Sequence, residues 1–346
     1  MTVKLDLKNK LINGCFEYWQ RATSFLTIAN GTYFADRWLY GKSGTMVHSA
    51  LRSTDVQADS FGQYSAHLDV TTAQGVIGAG EYCYIGQKIE GNVLRSFKGK
   101  KIVLSFWVKA TKVGTYCVAI RGASSSRSYI AEYSVSVTNT WEKKTIRLQH
   151  DTTGAWLYNT GVGIELDFIL ACGSSFQTAP NTWITGNFLG TANQVNAVDN
   201  ALNDFRISDV ILAEDNEGQS RLPDFQLAGR DLAEELLLCQ RYYEKSYSLD
   251  VSPGTNITHG AITTLSSVTT MDINGFFIVN KRVTPSTLTV RSTATGATGN
   301  ARDVNAGVDR LASVTALSDK SFRVINGIAY VSGNRMAFQW EADAEL

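Results

Sequence analysis

Two carboxylates, Glu165 and Asp167, stand two residues apart in the run Val162-Gly163-Ile164-Glu165-Leu166-Asp167-Phe168, so on an extended strand both point to one side. Paired carboxyl groups on one face are the equipment of glycoside hydrolysis, one as acid and the other as nucleophile or base. They are equally ordinary on the outward face of a half-buried strand. The alternation of Val162, Ile164, Leu166, Phe168 and Leu170 with Gly163, Glu165 and Asp167 is that of such a strand. The pair is therefore read as an outward polar face and the chain as a non-enzyme. No G-x-S-x-G, H-E-x-x-H, P-loop or EF-hand pattern occurs in the sequence. His48, His67, His150 and His259 include no pair at ligand spacing, and Cys15, Cys83, Cys117, Cys172 and Cys239 are scattered without C-x-x-C. No metal, cofactor or disulfide framework is expected, and the cysteines read as small buried apolar side chains.

Aromatic residues offer a different chemistry. Sugar rings present apolar C–H faces that stack on exposed rings while Asn, Gln, Asp and Arg bond their hydroxyls. Trp156 and Tyr158 lie two apart and would share a face if extended; Tyr82 and Tyr84 do likewise, and Trp183 sits in a long loop. These five are the candidate glycan-binding residues. The competing assignment is core or subunit packing, since aromatics dominate both settings.

The elements that would position these side chains are strands. The chain has 346 residues, 44% hydrophobic, enough for two cores by the usual domain size. Its 32 basic and 32 acidic residues give zero formal net charge, which argues against nucleic acid as a partner. With 29 Gly and only 4 Pro, the composition suits short strands and tight turns. Residues 1–10 lack the apolar run of a signal peptide, and no segment approaches a membrane span, so synthesis in a reducing cytoplasm without membrane insertion is expected. Across residues 61–212, strand patterns recur. Ile102, Leu104, Phe106 and Val108 share one face, with Ser105 and Trp107 on the other, and further strands are expected at 82–89, 116–120, 140–146, 162–170 and 205–212. Residues 174–203 break the alternation and read as a surface excursion. At Asp231 the pattern turns helical. Asp231 and Glu234 have capping-box spacing, and Leu232, Leu236, Cys239 and Tyr243 follow at steps of four, three and four, predicting a helix of about four turns. This stripe is the candidate oligomer interface. Strands are again expected at 260–283, 287–293, 321–330 and 335–340, with Met336, Phe338 and Trp340 on one face, punctuated by a Gly/Ala/Thr-rich stretch at 294–301 and an Asn326-Gly327 turn.

The opening Leu11-Ile12-Asn13-Gly14-Cys15-Phe16-Glu17-Tyr18-Trp19-Gln20-Arg21, answered by Asp36-Arg37-Trp38, resembles the start of virion structural proteins of tailed bacteriophages, where it opens a jelly roll similar to carbohydrate-binding modules. Leu238-Cys239-Gln240-Arg241-Tyr242-Tyr243-Glu244-Lys245-Ser246 resembles a linker of phage tail-fibre proteins, and the ending from Trp340 to Leu346 is similar to those of fibre-type proteins. The resemblance implies an all-β chain: an N-terminal segment (1–10), a carbohydrate-binding-module-like jelly roll (11–228), a linking helix (229–248) and a small C-terminal β-sandwich (249–346). It implies a virion-surface structural protein made in the host cytoplasm, with itself as homotrimer, other tail or capsid proteins, and a host-surface glycan as partners. A short tail fibre that contacts the host is the leading expectation. A capsid decoration or head-fibre protein is the alternative, and a glycan-degrading enzyme ranks last for want of a catalytic set, the β-helical repeat of a tailspike depolymerase being missing as well. Trp38 is expected to be structural, with Asp36 and Arg37 bonded locally or to backbone beside it.

Overall fold

The computed structural model describes residues 8–123, 126–215, 230–266, 270–326 and 333–346. Most of the 1–10 segment, residues 216–228 of the jelly-roll range, and the Asn326-Gly327 turn with the end of its strand lie outside the described residues. Two compact units divide the chain: residues 1–17, 23–232 and 346 in the first, and 18–22 and 233–345 in the second.

The first unit is built from β1 (Ser24–Phe25), β2 (Thr32–Ala35), β3 (Trp38–Ser43), β4 (Val47–Ser53), β5 (Ser65–Thr72), β6 (Tyr82–Glu90), β7 (Lys101–Ala110), β8 (Gly114–Gly122), β9 (Arg127–Val135), β10 (Glu142–Gln149), β11 (Val162–Cys172), β12 (Trp183–Thr185) and β13 (Asp204–Glu214). They form two antiparallel sheets, one in the order β1-β4-β5-β13-β7-β10 and the other β12-β9-β8-β11-β6-β3-β2. Within these, the orders β5-β13-β7-β10 and β6-β11-β8-β9 define the winding. From β5 to β11 the chain changes sheet at every step except the β8–β9 hairpin, and β13 then returns to the first sheet. That path is a jelly roll.

Period-two patterning places the core between the sheets. On β7, Ile102, Leu104, Phe106 and Val108 are fully buried while Lys101 is exposed and Trp107 half-buried. Phe106 meets Phe168 and Tyr133 of the opposite sheet edge to face, with ring centroids 4.9 and 5.1 Å apart. The opening motif fastens this core. Trp38 is fully buried, 4.7 Å from the ring of Phe16, and its indole N–H donates to the carbonyl of Asn13 at 2.9 Å. Asn13 sits at φ 56°, a left-handed conformation Asn tolerates, and donates in turn to the carbonyl of Asp36 at 3.1 Å. The guanidinium of Arg37 reaches the carbonyl of Lys88. Trp38 is structural, as its sequence setting implies.

The 174–203 segment is no free excursion. Leu189 is buried, and Phe176 and Phe188 pack with it over Cys117, Ala119, Ile130, Ile169 and Cys172 on the outward face of the second sheet. Those outward positions are apolar, so leaving them in water would forfeit the burial that the segment provides.

The second unit centres on β22 (Arg335–Asp343), which pairs with β14 (Tyr243–Lys245), β15 (Ile262–Leu265), β17 (Thr287–Ser292) and β18 (Asn300–Asp303), the last joined to β19 (Val308–Leu311). A three-stranded sheet of β16 (Asp272–Phe276), β21 (Ser321–Ile325) and β20 (Ser313–Leu317) shares its core, where Phe322 and Val324 meet Met336, Phe338 and Trp340. The strands β19 and β20 escape the sequence reading because their apolar side chains are exposed or half-exposed and do not alternate cleanly.

The predicted helix is shorter than its stripe implies. It spans Leu232–Gln240, nine residues, or roughly 2.5 turns rather than four. Tyr242 donates to the carbonyl of Cys239, closing the last turn, and Tyr243 then enters β14 opposite Asp343. Aromatic residues favour a pleated surface, and the ladder offered by β22 outcompetes helix propagation.

Candidate functional site

The carboxylates Glu165 and Asp167 do share the outward face of β11, but they are not solvated. Arg121 of β8 binds both through one terminal nitrogen, at 2.5 Å from Glu165 and 2.8 Å from Asp167, and its Nε donates to Asp167 at 3.0 Å. The other terminal nitrogen donates to Asn187 Oδ1 at 2.9 Å. Burial pushes the Asp167 carboxyl up to about 6; Arg121 pulls against that shift and Glu165 adds to it. Arg121 stays charged because the two carboxylates more than offset its own burial. Across the strand pair, Gly86 leaves room for Asp167, since a Cβ there would lie 2.1 Å from Oδ1. The arrangement is a three-residue ionic tie, with the guanidinium standing where a glycosidic oxygen would have to enter.

Tyr82 and Tyr84 stack at 5.6 Å on the same sheet face, and Phe176 closes edge-on against Tyr82 at 5.4 Å. Both tyrosines are half-buried and belong to the packing of the 174–203 segment. Tyr84 lies over Gly41, where any Cβ would strike its ring.

Trp156 and Tyr158 are not a strand pair. The chain leaves β10 after Gln149 and runs as a loop until β11 begins at Val162. Asp151 accepts from the Thr153 backbone and hydroxyl, bending the loop at once, and period-two facing has no meaning there. Tyr158 turns towards Lys98, whose ammonium lies 5.6 Å from its ring, and its carbonyl takes two bonds from Arg95, at 2.9 and 2.6 Å. Trp156 instead meets Trp183 edge to face at 5.4 Å. Trp183 opens β12 at the edge of one sheet, and its indole N–H donates at 2.8 Å to the carbonyl of Gln149 at the end of β10, the edge strand of the other. The two tryptophans thus stand at the open side of the sandwich, where the sheet edges approach. Tyr129 flanks Trp183 at 5.4 Å, and His150 lies against Trp156 at 4.7 Å. Arg127 ties the rim together, with Nε on Asp151 at 2.6 Å and a terminal nitrogen on Thr185 Oγ1 at 3.1 Å.

Both indole N–H groups are committed inside the protein, Trp156 to Thr153 at 3.0 Å and Trp183 to Gln149. What the half-exposed rings still offer is apolar face and edge. Beneath them His150 is 1% exposed, with neither ring nitrogen hydrogen-bonded, and burial lowers its pKa against the opposing pull of Asp151. Tyr129, His150 and Arg127 were not legible as site residues, because only the β9–β12 pairing and the end of β10 bring them to Trp183.

The oligomer stripe breaks up. Leu232 is exposed and Leu236 half-buried, but Cys239 and Tyr243 are buried within the chain. Cys239 and Tyr243 therefore cannot line a seam between copies. Behind Tyr243, Glu244 and Lys281 form a buried ion pair, completed by the Ile278 N–H on Glu244 at 3.0 Å and the Gln240 carbonyl on Lys281. Among the described residues, no group of three or more His, Cys, Asp or Glu is placed to hold a metal ion. No described helix is long and apolar enough to cross a membrane.

The first unit defines an all-β jelly-roll protein with an aromatic rim. No protein-family model and no curated protein matches the sequence. Among solved structures, the chain is similar to the enzymatically active domain of tailspike protein 4 of bacteriophage CBA120, with a TM-score of 0.33 and 17% identity, over 60% of this chain and 21% of that one. It is also similar to TmCBM61 in complex with β-1,4-galactotriose (TM-score 0.31, 11% identity, 60% and 99% of the two chains). A third is a family 11 carbohydrate-binding module from Clostridium thermocellum with a β-1,3-1,4-mixed-linked tetrasaccharide (0.29, 10%, 56% and 96%). These likenesses are distant, and the fold assignment rests on the strand order.

Proposed function

We propose that this chain is a non-enzymatic surface protein of a tailed-phage virion, made in the host cytoplasm and mounted as a short fibre that holds host glycan on its jelly roll. The observation that carries the binding reading is the Trp156–Trp183 pair: two half-exposed rings, crossed at 89°, with their polar atoms already satisfied. Such rings gain by covering the C–H face of a sugar and lose nothing in hydrogen bonding when they do. The fibre reading rests on the sequence resemblance of the opening, linker and ending segments. The non-enzymatic reading rests on Arg121, which occupies the space between the best carboxylate pair.

The test is binding of the purified protein and of intact particles to host cells and host polysaccharide, with Trp156→Ala and Trp183→Ala. Each change should weaken binding about tenfold, equivalent to about 1.4 kcal/mol, with little change in melting temperature for Trp156→Ala. Undiminished binding in the double variant would remove the site. Immunogold labelling confined to the capsid would replace the fibre by a decoration protein, and turnover of host polysaccharide would overturn the non-enzymatic reading.

A further inference from the structure

The rim continues round the end of β10 into a cleft of about 260 Å³ lined by Lys101, Arg147, Leu148, Gln149 and Asp215. Gln149 belongs to both places: its carbonyl holds Trp183, and its side chain lines the cleft while donating to the Gly99 carbonyl at 2.8 Å. Along the outward face of β10, Lys143, Thr145, Arg147 and Gln149 are all exposed, and Lys101 stands opposite Gln149 on β7. Three cations, Lys101, Lys143 and Arg147, thus share this face. The carboxylate among the residues lining the cleft, Asp215, takes the Nε of Arg147 at 3.1 Å. The Arg147 side chain is 54% exposed. With Nε on Asp215, its two terminal nitrogens remain as a fork whose geometry matches an incoming carboxylate.

Resting on the glycan reading above, we propose that the site is selective for acidic polysaccharide. One sugar stacks on the Trp156–Trp183 pair, and the carboxylate of a neighbouring uronic acid residue sits in the cleft on the fork of Arg147, in the field of Lys101 and Lys143. The apolar and cationic parts are adjacent through a single residue, Gln149, as a polymer with alternating ring faces and charges requires. A neutral polymer gains only the first part. Because the cations lie at the surface, the acidic preference fades as salt screens it.

The experiment measures binding of the full chain to polygalacturonate, polymannuronate and hyaluronate, each beside its carboxyl-reduced counterpart, by calorimetry at low and high salt. At least one acidic polymer should bind about tenfold or more tightly than its reduced form, and the advantage should shrink at high salt. Arg147→Gln should abolish the advantage while leaving binding of the reduced polymer and the melting temperature unchanged. Arg147→Gln with Asp215→Asn should do the same, so that an uncovered carboxylate is not the cause. Equal binding of acidic and reduced forms, or a preference that survives Arg147→Gln, overturns the acidic selectivity, while loss of that same binding in Trp156→Ala keeps the glycan reading. Absence of binding to either form of all three polymers overturns the selectivity, and failure to bind host polysaccharide as well removes the glycan reading beneath it.

Discussion

At the scale of single residues, a buried imidazole and a buried carboxyl set how this protein responds to acid. His48 is fully buried, accepts from or donates to the Tyr40 hydroxyl through Nδ1 at 2.7 Å, and leaves Nε2 without a partner. Burial, reinforced by Lys42, lowers its pKa from 6.5 to about 4. An unfolded chain therefore takes up this proton first, so the contribution of His48 to stability is whole above pH 6.5, declines as pH falls to about 4, and is constant below. The loss amounts to about 3 kcal/mol. Asp167 works in the opposite sense: raised to about 6 in the fold, it adds stability below pH 3.8 and gives it up as pH rises through 6. Denaturant titrations at pH 7.5 and 4.5 on the native chain and on His48→Gln should separate the two, the variant losing less stability on acidification. An unchanged difference would mean that His48 is reached by solvent. The rim shows what single residues reveal from sequence. Trp156 and Trp183 are recognisable as large rings in polar stretches, but spacing alone pairs Trp156 with Tyr158, and a spacing of two implies a shared face only where the chain is extended.

Elements obey their periodicity wherever both faces have definite surroundings. The alternations of β7 and β11 were legible, and so was the burial of Met336, Phe338 and Trp340, because each apolar face meets the opposite sheet. Illegible were the fate of the outward face of β11, which depends on Arg121 and the 174–203 segment arriving from elsewhere, and the end of the helix, which depends on β22 about 100 residues later. The ionic tie gives a sharp test. Gly86→Ala would drive a methyl against Asp167, and overpacking of this kind costs about 1–3 kcal/mol, measurable as a lowered midpoint of chemical unfolding. Combining it with Asp167→Ala should recover part of that loss. In the second unit, Lys281→Met would strand the Glu244 carboxylate in the interior, at a cost of about 3–5 kcal/mol. The double change with Glu244→Gln should be milder than Lys281→Met alone, and a strictly additive pair would show that the two charges do not act together.

For the whole molecule, the fibre reading predicts weak single-site binding amplified by copy number. A shallow rim with two stacking rings covers little sugar, and linked copies act through effective concentration. Soluble protein should hold host cells feebly while particles bind well; equal affinity of the two would point to a deeper, self-sufficient site. The trimer now rests on the resemblance alone, since half of its proposed seam is interior, and light scattering at micromolar concentration decides it. The strands of the jelly roll were legible as many short alternating segments, while their winding was implied only by the resemblance, and the aromatic rim lies where two sheet edges meet and has no local signature. One plain feature reaches further: all five cysteines are buried thiols outside any disulfide, and burial pushes those of Cys83 and Cys172 up to about 12. The folded protein should be mute to Ellman's reagent until denaturant releases five equivalents. Any cysteine newly planted on the rim would then be the sole handle for a maleimide dye, so the native sequence already serves as a clean background for testing at a single site whether a glycan arrives.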